Sequence, residues 1–304
     1  MTRMTNSAAP QIVRKTAGDI RLLVLDIDGT ILNETNRIRD SVTEAIRATQ
    51  RRGVAVALAT GRMRQSSLPV YELLASTLPL ICYEGALILQ PRDGFIHRHW
   101  PLGRRAAGLI LGQKELIRAG DRVSVQFYIQ DNIYVSKLND ASTRYFEGSP
   151  IEPIVMSDVR QLLNRAITKM VVLSDDDQVI GRLSSRLQSS RIRTQVKEYR
   201  ALTFLEAFHP AVNKRLALSY LAETLMAIRP ENVMAIGDDS SDIEMLNYAG
   251  IGVAMGNAPA TVQALADWVT TTVEKDGVAM AIEKWILSAK SDARSDPSHD
   301  RRGG

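Results

Sequence analysis

The stretch Leu22-Leu23-Val24-Leu25-Asp26-Ile27-Asp28-Gly29-Thr30 decides how the rest of the chain is read. A short apolar run stopped by glycine reads as a strand buried on both faces, as in a parallel sheet. Asp26 and Asp28 fall where that strand ends. In open α/β sheets this carboxyl edge is where ligands bind. Two acids so close repel each other, and desolvation raises the proton affinity of at least one. A bound cation, or a division into acid and base, gives such a pair a purpose. The plainer alternative is a polar turn, because Asp-Gly is a common turn pair.

At 304 residues the chain has room for two domains, or for one domain with a large insertion. A hydrophobic content of 45% supports a packed core, and 24% charged residues is ordinary for a globular protein. The net charge of +4 is small, Lys and Arg are scattered, and aromatics reach only 5%, so no nucleic-acid footprint stands out. No apolar run approaches the roughly 18 residues of a membrane span. Cys82 is the single cysteine, which excludes an internal disulfide. Its apolar neighbours make it a packing residue, and the pattern suits a reducing cytosol. Residues 1–18 combine basic and hydroxyl residues without an apolar segment. They read as a disordered leader, with an organellar transit peptide as the alternative, in an otherwise cytoplasmic protein. Residues 288–304 are turn formers and charges without periodicity and read as a disordered tail.

Outward from the opening strand, Ser41-x-x-Glu44 looks like a capping box, with Val42, Ile46 and Thr49 on one helix face and Gly53 as a stop. A second buried strand over 54–59, a helix over 63–76 and a third strand over 80–83 follow. Such alternation predicts parallel strands joined by right-handed crossovers. Past Ala86 the texture changes to strand-like segments at 95–100, 123–129, 133–136, 167–173, 192–196 and 201–207, several of them alternating polar and apolar. Helical stretches near 106–118 and 178–189 lie between them. From 209 the first texture returns, with a helix over 214–227, strands at 233–236, 251–254 and 268–270, and helices at 242–249 and from Ala260. The expectation is an α/β core with a Rossmann-like parallel sheet over 19–92 and 209–287. An α+β cap over 93–208 interrupts it, placed to act as a lid.

Three further stretches carry chemistry. In Ala59-Thr60-Gly61-Arg62, a hydroxyl and a glycine amide at a helix start make an anion pocket, unless Thr60 is only an N-cap. Lys214 follows Asn213 at another helix start, where the macrodipole does nothing for a cation. The stretch Ile236-Gly237-Asp238-Asp239-Ser240-Ser241-Asp242 again puts acids at a strand exit. If that strand lies beside the first, Asp26, Asp28 and Asp238 gather the hard oxygens that Mg²⁺ prefers.

In this order the residues resemble the haloacid dehalogenase superfamily of phosphohydrolases, specifically its Cof-type branch with an α+β cap. The likeness runs from about Arg21 to Leu287. Asp26-Ile27-Asp28-Gly29-Thr30, Thr60-Gly61-Arg62, Lys214 and Gly237-Asp238-x-x-Ser241-Asp242 fit the four motifs, with secondary matches at Glu84-Gly85-Ala86, Gly256-Asn257-Ala258 and Glu274-x-Asp276-Gly277-Val278. The resemblance implies a Mg²⁺-dependent phosphatase of small phosphate monoesters, sugar phosphates foremost. It makes Asp26 the nucleophile and Asp28 the acid and base. Mg²⁺ would be held by Asp26, the backbone carbonyl of Asp28, and Asp238. Ile27, Thr60, Gly61, Lys214 and Ser241 would bind phosphate, with Arg62 and Asp242 supporting them from behind. A phosphomutase of the same chemistry is the near alternative, and a phospho-aspartate signalling or sugar-phosphate sensing module the distant one. Ser241 stands where the family usually has Asn, Glu84 where it has Asn, and the glycines that often flank the lysine are missing.

Of the remaining residues, His97, His99, His209 and His299 are too scattered for a metal cluster. Arg104, Arg144, Arg191, Arg193, Lys197 and Arg200 lie in the insertion and are either anion-gripping or solvated.

Overall fold

The computed structural model describes residues 19–33, 35–149, 151–199 and 201–288; the expected leader, nearly all of the expected tail, and Arg200 fall outside the described residues. In chain order the strands are β1 (Leu22–Leu25), β2 (Ala55–Leu58), β3 (Leu80–Cys82), β4 (Leu87–Leu89), β5 (Ile96–His99), β6 (Val123–Ile129) and β7 (Asn132–Val135). They continue with β8 (Ile154–Val155), β9 (Lys169–Ser174), β10 (Arg193–Tyr199), β11 (Leu202–Phe208), β12 (Val233–Gly237), β13 (Ile251–Ala254) and β14 (Trp268–Val269).

A parallel sheet in the order β14-β13-β12-β1-β2 forms the core. The apolar run chosen from the sequence is its centre, and every residue of β1 is buried. Leu25 pairs with Ile236 on one side and with Leu58 on the other. The ladder carries one residue further, since Asp26 N–H donates to Ile236 O at 3.0 Å and Ala59 N–H to Leu25 O at 2.9 Å. The first strand's acid therefore leaves the sheet between the exits of both neighbours, at the point where strand order reverses.

Two local expectations are corrected. The capping box does not form: the helix Asp40–Arg51 has Arg39 at its N-cap with no side-chain hydrogen bond. Ser41 Oγ donates instead to the Asp276 carboxylate, which also accepts from Arg39. A distant anion outcompetes the local amide for the hydroxyl. The third strand, expected to extend the parallel sheet, touches it through a single bridge, Ala59 to Ile81, and heads an antiparallel trio β3-β4-β5.

A second sheet, β10-β11-β9-β6-β7-β8, is antiparallel apart from the short β7–β8 pair. Its side chains alternate between two surroundings, as pleating requires. Phe127, Met170, Val172, Leu205 and Ala207 pack with Ile180 and Leu183 of the helix Asp177–Leu187. Tyr128, Val171, Leu173, Leu202 and Phe204 belong to the cluster that also holds Leu25, Ile27 and Leu58 of the parallel core. Leu202 and Phe204 of β11 thus look towards the exit of β1, and Gln195, Lys197 and Tyr199 pair with Glu206, Phe204 and Leu202 across the β10–β11 ladder.

Candidate active site

Asp26 is 4% exposed and wedged between strand exits. Lys214 Nζ donates to its Oδ1 at 2.6 Å and to Asp242 Oδ1 at 2.6 Å. Lys214 itself starts the helix Lys214–Ser219, whose N-cap Asn213 accepts the Leu216 N–H at 2.6 Å. Burial pulls the ammonium's pKa down, but Asp242, Asp26 and Glu84 hold it well above the usual lysine value. The other oxygen of Asp242 accepts the Asp238 and Asp239 N–H groups at 2.9 and 3.0 Å. Asp242 is thereby committed to shaping its own loop and holding Lys214.

Asp238 accepts from Thr30 Oγ1 at 2.7 Å and lies over Gly29. A Cβ at Gly29 would come within 2.2 Å of Asp238 Oδ2, and φ of +76° there strains any other residue. Gly29→Ala should therefore displace Asp238 and lower the melting temperature, by strain on the order of 1–3 kcal/mol. Thermal melts check this; an unchanged melting temperature would show that the contact is dispensable.

One oxygen from each of Asp26, Asp238 and Asp242 fits within a sphere where all lie less than 4.8 Å apart. Burial, then the hydrogen bond from Thr30 acting downwards, then Asp242, leave the Asp238 pKa raised to about 7. Burial likewise pushes Asp26 well up, against Lys214 and with help from Asp242, Asp238 and Asp28. The cluster is short of positive charge. Hard carboxylate oxygens with surplus negative charge fit a divalent cation such as Mg²⁺. Asp26 and Asp238 have the ligand capacity to hold it, because Asp242 is already engaged on both oxygens.

The structure brings most of the expected residues together. Ile27 is fully buried, and its carbonyl accepts from Ile31 and Leu32 to turn the chain at the strand exit. Gly61, Arg62 and Ser241 line the same cavity as Asp26 and Lys214, whereas Thr60 is fully buried with its hydroxyl accepting the Arg62 N–H at 3.1 Å. Asp28 lines that cavity as well, with its carboxylate aimed at Arg62 and not at the other acids. Its side chain is 57% exposed and turned to Arg62, whose guanidinium grips both of its oxygens, with Nε to Oδ2 at 2.7 Å. Its carboxylate is absent from the three-acid group.

Of the cap residues that reach this site the sequence singled out only Lys197, and its partner is a buried carboxylate. Lys197 Nζ donates to Glu84 Oε1 at 2.7 Å, and Gln195 Nε2 bridges Glu84 Oε1 at 3.4 Å and Glu206 Oε2 at 2.6 Å. Glu206 also accepts from the buried Lys169. Glu84 reaches this place because Tyr83 and Glu84 are left-handed, with φ of 53° and 56°, each N–H anchored on the 60–62 turn. Burial pushes the Glu84 carboxyl up, yet Lys214 and Lys197 bring it down to about 2. The available signal was a glutamate inside an otherwise apolar strand, Glu206 in β11, opposite the polar run of β10.

A family model of haloacid dehalogenase-like hydrolases matches residues 23–282. The chain is 26% identical over 277 residues to the 5-amino-6-(5-phospho-D-ribitylamino)uracil phosphatase YitU of Bacillus subtilis, covering 87% of this chain and 97% of that one. It is 29% identical to YcsE of the same organism, which bears the same activity name, over 90% of this chain and 99% of that one. A haloacid dehalogenase-like hydrolase from Bacteroides thetaiotaomicron superposes with a TM-score of 0.73 at 28% identity, over 87% of this chain and 99% of that one. The acids at two adjacent strand exits, the lysine between them and a match along nearly the whole described chain lead to one conclusion: the chain belongs to the haloacid dehalogenase-like hydrolases, as a phosphatase.

Proposed function

We propose that the chain hydrolyses small phosphate monoesters, sugar phosphates foremost, with Mg²⁺ and through a phosphoryl group carried briefly on Asp26. The observation that supports this most is the buried Asp26 carboxylate, held by Lys214 and facing Asp238 across two parallel strand exits. The names of YitU and YcsE, both phosphatases of a ribityl phosphate, favour a sugar-derived alcohol.

In this reading Lys214 fixes one oxygen of Asp26 and leaves the carboxylate able to attack phosphorus in line. The P–O bond to the substrate alcohol breaks as the bond to Asp26 forms, and Asp28 gives its proton to the departing oxygen. Arg62 occupies Asp28 before substrate arrives. A dianionic phosphoryl group competes for that guanidinium and frees Asp28 for its role. Water then attacks phosphorus, Asp28 takes its proton, and Asp26 returns as a carboxylate. The Gly61 amide and Lys214 neutralise charge on the transferring group. Mg²⁺ on Asp26 and Asp238 would supply further charge neutralisation.

Phosphate release from p-nitrophenyl phosphate and a panel of sugar phosphates tests the proposal. Release is expected with Mg²⁺, should fall at least a hundredfold with EDTA, and should return when Mg²⁺ is restored. No release from any ester would overturn it. Isomerised sugar phosphate in place of free phosphate would make the chain a mutase.

A further inference from the structure

The cavity that contains Asp26 and Lys214 measures about 680 Å³, in the range that houses ligands of drug size. A phosphoryl group fills only the end at the strand exits. The rest of its wall has two unlike parts. One is polar and continuous. From Lys214 it runs to Glu84, then through Gln195 to Glu206 and Lys169. Lys169 is 5% exposed, yet it lines the cavity. Burying an ammonium and a carboxylate side by side is costly, and apolar residues of the same size would hold two strands together at least as well. What the pair adds is a fixed donor beside a fixed acceptor, a match for the hydroxyls of a sugar or polyol.

The other part is aromatic. Tyr128 joins the polar part to it, with Lys169 Nζ 4.7 Å from its ring centre and its hydroxyl 3.4 Å from that of Tyr145. Tyr145 packs edge-to-face with Phe146 at 5.3 Å and with Tyr199 at 6.2 Å, and all three line the cavity. Tyr199 is 47% exposed, so it is not consumed by the core. Rings fixed by each other and open to a cavity form a stacking surface without needing to be ordered by a ligand.

We infer that the alcohol half of the substrate is a short polyhydroxylated unit bearing a planar heteroaromatic ring, its hydroxyls on Glu206 and Lys169 and its ring against Tyr145, Phe146 and Tyr199. This inference rests on the phosphatase reading above and deepens it. Stacking of a base on aromatic side chains contributes about 1–3 kcal/mol.

The test uses the full chain carrying Asp26→Asn, so that binding is read without turnover. Calorimetry with Mg²⁺ compares two matched pairs: 5-amino-6-(5-phospho-D-ribitylamino)uracil with D-ribitol 5-phosphate, and uridine 5′-monophosphate with D-ribose 5-phosphate. The ring-bearing member of at least one pair should bind at least tenfold more tightly, about 1.4 kcal/mol. Adding Tyr199→Ala or, separately, Phe146→Ala should bring that ratio towards unity. Equal or undetectable binding of both members in both pairs would overturn the inference, as would a preference that neither substitution reduces. If the unsubstituted chain releases phosphate from no ester while the ring preference persists, the catalytic reading alone falls.

Discussion

Asp26→Asn should lower kcat by about 10⁴-fold or more, the scale seen when a covalent nucleophile is removed, while leaving the protein at least as resistant to heat. The two halves of this expectation come from the same geometry. Asp26 is buried, and that burial, reinforced by Asp242, Asp238 and Asp28 and opposed by Lys214, pushes its pKa well above the ordinary value. An acid whose folded pKa exceeds its unfolded one takes up a proton on folding, so its ionisation costs stability. The cost is absent below the unfolded value near 3.8 and grows as pH rises towards the folded one. Asparagine keeps an oxygen for Lys214 and removes the cost. In EDTA, therefore, the variant should melt at or above the parent at neutral pH, and the difference should shrink in acid. With Mg²⁺ the order should reverse, because the parent retains the ligand and gains more from binding. Phosphate release and thermal melts across pH measure both halves. Ordinary turnover by the variant would remove Asp26 from the nucleophile's role.

The centre of the fold was legible because burial on both faces leaves an unmistakable sequence. The runs at β1, β2, β12 and β13 contain no polar side chain to satisfy, as a central parallel strand requires, and β1 and β12 lead directly into acids. Placing Asp26 near Asp238 then needed only the assumption that β12 neighbours β1. What could not be read depends on choices between partners distant in the chain. Ser41 had a local amide and a remote carboxylate on offer, and Asp276, 235 residues away, took it. Asp28 looked like a member of the acidic cluster by spacing, but its side chain swings out to Arg62, whose planar fork matches a carboxylate better than any single donor. Glu84 stood out only as a departure from the family pattern. Its cause lies in Lys197 and Gln195, more than a hundred residues further on, which meet it through a sheet whose pairing the sequence does not state.

Lys214→Met should be the most damaging single substitution to stability at this site, and the reason is that it orphans two acids at once. Lys214 is 2% exposed, Asp242 fully buried and Asp26 nearly so, with the ammonium 2.6 Å from each. Methionine fills the space but offers no proton. Removing one partner of a buried ion pair typically costs 3–5 kcal/mol, because the remaining charge has neither water nor counterion. Asp242 is also unable to turn away, since its second oxygen carries the Asp238 and Asp239 amides that shape the loop. The damage should spread to Asp238 and with it to Mg²⁺ binding, so activity should fall below detection even in protein that remains folded. Chemical denaturation should show a loss of about 3 kcal/mol or more at neutral pH. In mild acid the loss should shrink, because Asp26, with its raised pKa, then accepts a proton in place of the missing ammonium. Adding Asp242→Asn to Lys214→Met should recover part of the stability and none of the turnover, separating the lysine's structural service from its chemical one. A loss under about 1 kcal/mol in the single variant would mean that the three side chains are not interlocked in solution as they are here.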